Sequence, residues 1–119
     1  MAHYVTYFVI PVPKKNLAAY KRVARLFAKV WREHGALSYT EWIADDVTPG
    51  KVTSFPLSVK LKRGEVVVVG QTQYKSSKDR ERVMAKVMSD PRLANMTEDT
   101  MPFDGMRMFW GGFKPLIEA

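Results

Sequence analysis

The closing segment Met106-Arg107-Met108-Phe109-Trp110-Gly111-Gly112-Phe113 narrows the choice of folds more than any other stretch of the chain. Side chains alternate along a strand, so in extended form it carries Met106, Met108 and Trp110 on one side and Phe109 and Phe113 on the other. A strand with large apolar groups on both sides belongs to a sheet that is covered twice. Helices of the same chain can cover one face. The expected second cover is another copy of the chain, because a monomer seldom leaves a flat apolar patch of more than roughly a few hundred Å² in water.

Residues 3–10 repeat this pattern, with Tyr4, Thr6, Phe8 and Ile10 on one side and Val5, Tyr7 and Val9 on the other. The Pro11-Val12-Pro13 stretch is expected to end that strand, since proline donates nothing to a ladder. Over residues 16–34 Leu17, Tyr20, Val23, Ala24, Phe27, Val30 and Trp31 recur at helical spacing, and Gly35 is placed to end the helix in a left-handed turn. Residues 37–44 alternate as a second strand. Residues 45–51, with Pro49-Gly50, read as a loop, and 52–62 as an extended segment of ambiguous type broken by Pro56. In residues 65–74 four consecutive valines, 66 to 69, suit a strand buried on both sides. Ser76 and Asp79 have the spacing of a capping box, and the helix they open shows Val83, Met84, Val87 and Met88 inward. Asp90-Pro91 stops it and caps a further short turn, and residues 97–104 form a polar connection to the last strand.

Strand, helix, strand, strand, helix, strand is a β-α-β unit taken twice. That order predicts an α+β, ferredoxin-like βαββαβ fold over a single domain, 1–119, with an antiparallel sheet and both helices on one face. The chain has no cysteine, which excludes disulfides, thiolate metal sites and a cysteine nucleophile and makes a reducing cytoplasm the expected compartment. No apolar run approaches the ~20 residues of a membrane span, so no membrane association is expected.

The net charge of +7, from 19 Lys and Arg against 12 Asp and Glu, suggests an anionic partner. However, Lys14, Lys15, Lys21, Arg22, Arg25, Lys29 and Arg32 fall together, most of them on the polar face of the first helix, where a solvated surface explains them. RNA-recognition modules share this strand order and stack bases on aromatic residues of the third strand. Here Arg63-Gly64 is followed by Glu65 and the four valines, so RNA binding is the alternative rather than the leading expectation.

Several long motifs also resemble a known family: Pro11-Val12-Pro13-Lys14-Lys15-Asn16, Val30-Trp31-Arg32-Glu33-His34-Gly35-Ala36-Leu37, Gly50-Lys51-Val52-Thr53-Ser54-Phe55-Pro56 and the run from Met88 to Phe113. Together they resemble the YbaA-like family of uncharacterised proteins across nearly the whole chain. The resemblance implies membership of the dimeric α/β-barrel superfamily, in which two ferredoxin-like protomers close around a small-molecule cavity. It implies no reaction. The chain departs from the family pattern at Thr6-Tyr7, Trp42 and Val69-Gly70-Gln71, on strands that can line the cavity.

The candidate chemistry is sparse. The only histidines, His3 and His34, lie in different elements, so neither a metal nor another cofactor is expected. His34 is placed to complement the end of the first helix. Glycine-rich phosphate loops, Gly-x-Ser-x-Gly elbows and His-Glu-x-x-His pairs are missing. Glu41 stands inside the second strand on the side of Tyr39 and Ile43, where a charge must be paired or protonated. Arg107 takes a comparable place in the last strand. With both facing one cavity, Glu41 would act as base and Arg107 would steady developing negative charge; a structural ion pair is the competing reading. Thr6, Tyr7, Tyr39, Gln71, Gln73 and Trp110 are the candidate lining residues. The expected function is therefore a homodimer, joined through its sheet face, that binds a small organic molecule. The superfamily that the resemblance implies includes enzymes of the cofactor-free oxygenase and isomerase type, so such an enzyme is one expectation, and a binding or structural dimer without turnover is the other.

Overall fold

The computed structural model describes residues 3–97 and 100–119. Within it, β1 (Tyr4–Pro13), α1 (Leu17–Glu33), β2 (Ser38–Ile43), α2 (Phe55–Ser58), β3 (Glu65–Tyr74), α3 (Ser77–Met88), α4 (Pro91–Ala94) and β4 (Phe109–Phe113) follow in that order. The four strands form one antiparallel sheet in the order β2-β3-β1-β4. This is the ferredoxin-like arrangement that the alternation of strand and helix patterns predicts. The connection at 97–104 contains residues 98 and 99, which lie outside the described residues.

Local chemistry sets the element ends. Gly35, at φ 117°, ends α1 in the left-handed region. The Ser76 hydroxyl accepts the Asp79 N–H at 3.1 Å and opens α3. Asp90 accepts the Arg92 N–H at 2.9 Å and opens α4, and its other carboxylate oxygen lies 2.8 Å from Nε2 of His34 at the end of α1.

Two boundaries differ from expectation. β1 runs on through Pro11 and Pro13, because β4 stops at Phe109, opposite Val9, and beyond that point β1 has a bare edge where a missing N–H costs no ladder bond. β4 begins only at Phe109: Asp104 accepts the Met106 N–H at 3.0 Å and folds Gly105–Arg107 into a 3-10 turn, leaving Met106 82% exposed rather than in the sheet.

Both main helices pack on one face of the sheet. Val30, Ala36, Tyr74, Val83 and Val87 form the core at one end, and Ile10, Val12, Tyr20 and Val68 form it at the other. The opposite face is not left wholly to a partner, which corrects the expectation that only a second copy can cover it. Ser54 caps α2, and the turn after α2 drops Val59, 1% exposed, onto Val9 and Val67, with Leu61 and Ala44 beside it. This resolves the ambiguous segment 52–62: it shields one corner of the second face. The remainder of that face keeps Tyr7, Trp42, Phe109 and Phe113 exposed.

Candidate functional site

Strand periodicity determines which side chains can meet. Pairing across the sheet puts Tyr39, Thr72, Thr6 and Gly112 in one row of the helix-facing side, and Glu41, Gly70, Phe8 and Trp110 in the next. Above these rows α1 contributes Tyr20, Phe27 and Trp31. Arg80, Met84 and Met88 recur every four residues along α3, so one face of that helix supplies all three. Between helices and sheet lies a cleft of ≈ 350 Å³ whose walls are mainly aromatic and methionine side chains. It belongs to a single protomer and sits on the helix side of the sheet. The sheet face expected to meet a second copy is the other one.

Glu41 is the acidic group of the cleft. The Tyr20 hydroxyl donates to its Oε1, and the Tyr39 hydroxyl donates to its Oε2 at 2.7 Å. Tyr20 packs edge-on to Phe103 with ring centres 5.7 Å apart, and Tyr39 lies 5.9 Å from Trp31 and 6.4 Å from Phe8. Burial first, and the Glu41 charge second, hold both phenols protonated far above the ordinary tyrosine range. The arrangement is a carboxylate gripped by two permanent donors in a largely apolar space. It can accept a proton from a bound ligand, or the phenols can turn to a ligand oxygen. Glu41 also borders a second hollow of ≈ 370 Å³ between α1 and β2, with Lys21 and Arg25 among its lining residues.

At the other side of the cleft Arg80 Nε donates to Thr6 Oγ1 at 2.7 Å, and Thr72 Oγ1 donates to the Tyr74 hydroxyl at 3.0 Å. The sequence reading passes over Arg80, Tyr20 and Phe8 as site residues. For Arg80 a signal exists: a cation four and eight residues before two methionines shares their stripe on the helix.

Of the candidate residues, Glu41, Thr6, Tyr39 and Trp110 line the cleft. Tyr7, Gln71 and Gln73 face the opposite side of the sheet, where Gln71 Nε2 donates to the Tyr7 hydroxyl at 3.3 Å. Neighbouring strand residues such as Thr6 and Tyr7 cannot share one face, so the set had to divide. Arg107 is not in the last strand. It sits in the 3-10 turn before β4, where its guanidinium binds Glu65 through two hydrogen bonds of 2.8 and 2.6 Å and Asp104 at 2.9 Å. It also donates to the Lys60 carbonyl at 3.1 Å. Arg107 therefore does not meet Glu41, and the structural ion pair describes it. Among the described residues no three His, Asp or Glu side chains gather as a metal site requires, and no helix is long and apolar enough to cross a membrane.

Residues 3–105 match the family described as "Protein of unknown function (DUF1428)". The chain belongs to the DUF1428 family. It is 43% identical over 115 residues to the uncharacterized protein YbaA of Escherichia coli strain K12, covering 97% of each chain, and equally so to YbaA of Shigella flexneri. Among solved structures, a dimeric ferredoxin-like protein from an uncultured marine organism superposes with a TM-score of 0.60 at 12% identity, over 98% of this chain and 99% of that one. A monooxygenase from the gene ActVA-Orf6 of Streptomyces coelicolor, in complex with the ligand nanaomycin D, superposes with a TM-score of 0.58 at 15% identity, over 99% and 91%. At these identities the likeness shows that the DUF1428 chain shares a ferredoxin-like fold with both.

Proposed function

We propose that this DUF1428 protein is a homodimer in which each protomer binds a small, flat organic molecule in the cleft between its helices and sheet. In this reading Glu41 acts as general base in a cofactor-free reaction of the isomerase or oxygenase type. The observation that carries it is the Glu41 carboxylate, held by Tyr20 and Tyr39, at the edge of a cleft walled by Phe8, Phe27, Trp31 and Trp110. Aromatic walls favour a ring, and the carboxylate at their edge is placed to take a proton from it. Both reaction types share a first step in which Glu41 removes an acidic proton from the ligand. Returning that proton to another carbon is an isomerisation, whereas reaction of the resulting anion with dioxygen is an oxygenation. The Tyr20 and Tyr39 hydroxyls, released from Glu41 as it protonates, are then donors to the charge left on the ligand.

A similar fold in a monooxygenase that holds an organic ligand supports this choice of ligand class. The exposed Tyr7, Trp42, Phe109 and Phe113, on the face that helices do not cover, support the dimer, as does a dimeric neighbour of the same fold.

Hydrogen-deuterium exchange into enolisable ring ketones and phenols, followed by NMR, tests the base. The wild type is expected to accelerate exchange for at least one compound, and Glu41→Gln to slow it on the order of a hundredfold while still binding the compound. Equal exchange by E41Q and wild type overturns the role of Glu41. Failure of every ring compound to raise the melting temperature overturns the site.

A further inference from the structure

We propose that Arg80 recognises a carboxylate on the ligand, so that the cleft selects a flat ring carrying an acid group at the end remote from Glu41. This rests on the reading of the cleft given above and adds the substrate class. A guanidinium offers five N–H donors in a planar fork. Arg80 uses one of them, Nε, on Thr6. Among the described residues it has no carboxylate within ion-pair distance, whereas Arg82 pairs with Asp79, Arg92 with Asp90 and Glu33, and Arg107 with Glu65 and Asp104. A half-buried cation without a counter-ion gives up hydration and gains little in return, unless an anion arrives.

The location gives the charge a direction. Arg80 is held to Thr6, one row along and two strands across from Glu41, which separates the two backbone positions by about 12 Å at ordinary sheet spacings. Both side chains reach into the space between, leaving room for a ring with short substituents. Arg80 is the one Lys or Arg among the residues that line this cleft. A single cation suits a carboxylate, which carries one charge and matches the guanidinium fork, better than a doubly charged phosphate. Glu41 repels an anion at its own end. A ring acid would therefore enter in one orientation, acid group on Arg80 and reacting edge toward Glu41.

Calorimetric titration with cinnamate and with its neutral isostere cinnamamide tests the assignment. The acid is expected to bind the wild type about tenfold more tightly than the amide, the worth of one charge-assisted hydrogen-bonded pair. In Arg80→Met that preference disappears while amide affinity stays within about twofold, because the apolar walls are intact. Should R80M fail to fold, R80K serves: its ammonium lacks the planar fork, and the acid's advantage shrinks without change to the amide. Equal binding of acid and amide to the wild type overturns the role of Arg80 and leaves the ring-binding cleft standing, as does an undiminished preference in the folded variant. If neither compound binds at millimolar concentration, the cleft reading fails, and this inference with it.

Discussion

The ring of Phe8 occupies the space that a side chain at position 70 would need. The two residues are directly opposite in the β1–β3 ladder, and a Cβ built on Gly70 would come within 1.7 Å of Phe8 Cζ. Gly70 is also the partner of Glu41 on β2, so its bare backbone lets an aromatic floor lie beside the carboxylate. The same device recurs at the edge of the sheet, where Tyr4 lies over Gly112.

Gly70→Ala should therefore force Phe8 out of its place. Overpacking of this kind costs about 1–3 kcal/mol, to be read as a lower urea midpoint with an unchanged slope. Truncating the ring relieves the clash, so in Phe8→Ala the further change Gly70→Ala should cost little. A double-mutant cycle that comes out additive would contradict the contact.

The two phenols on Glu41 make stability depend on alkali. In the unfolded chain tyrosine ionises near pH 10, but folded Tyr20 and Tyr39 hold their protons well above that value. Their contribution is complete below pH 10 and is lost as pH rises beyond it, because only the unfolded state then releases protons. Melting temperature should fall steeply above pH 10 in the wild type and less steeply in a Tyr20→Phe, Tyr39→Phe double variant. At neutral pH Tyr39→Phe alone takes a hydrogen bond from a charged acceptor and should cost about 1–3 kcal/mol. Parallel alkaline profiles for wild type and double variant would show that these phenols ionise freely.

Much of the fold can be read from the chain because periodicity and caps agree at each step. Two-sided β1, the valine run of β3, Gly35, Ser76 and Asp90 each point to the element that forms. The site is less legible. Alternation divides Thr6 from Tyr7 and Gly70 from Gln71, but does not say which set meets the helices; packing of α1 and α3 decides that. Arg107 is misread for a local reason: the Asp104 side chain caps a turn where an apolar pattern suggests strand. Arg80 goes unnoticed because a cation near a helix start looks solvated until Thr6 is found beneath it.

Arg107 ties three pieces of chain together. Its side chain and that of Glu65 are 13% and 8% exposed, and the guanidinium spans Glu65 at the start of β3, Asp104 in the turn before β4 and the Lys60 carbonyl after α2. Arg107→Ala leaves the Glu65 charge nearly buried without its partner, which should cost on the order of 3 kcal/mol, and Glu65→Gln, which leaves Arg107 paired with Asp104, should cost less. Since Arg107 does not line the cleft, ligand affinity should be unchanged in whatever fraction of the variant is folded. A variant of wild-type stability with weakened ligand binding would restore Arg107 to the site.

The uncovered sheet face carries the proposed dimer. Val59 shields only the corner near Val9 and Val67, while Tyr7 and Phe113 stack edge to face at 5.6 Å, with Phe109 exposed on β4 and Trp42 exposed on the opposite edge strand, β2. Side chains of this kind form the dry centre of a symmetric interface, where each contact is made twice. Sedimentation equilibrium at micromolar concentration should give twice the 13.6 kDa chain mass. Phe113→Lys places a charge at the seam without touching the helix-side core, so it should yield a folded monomer of native helical content. In that monomer the cleft, built within one protomer, should still bind its ligand. A wild-type chain that sediments as a monomer would leave the aromatic face without the partner proposed for it.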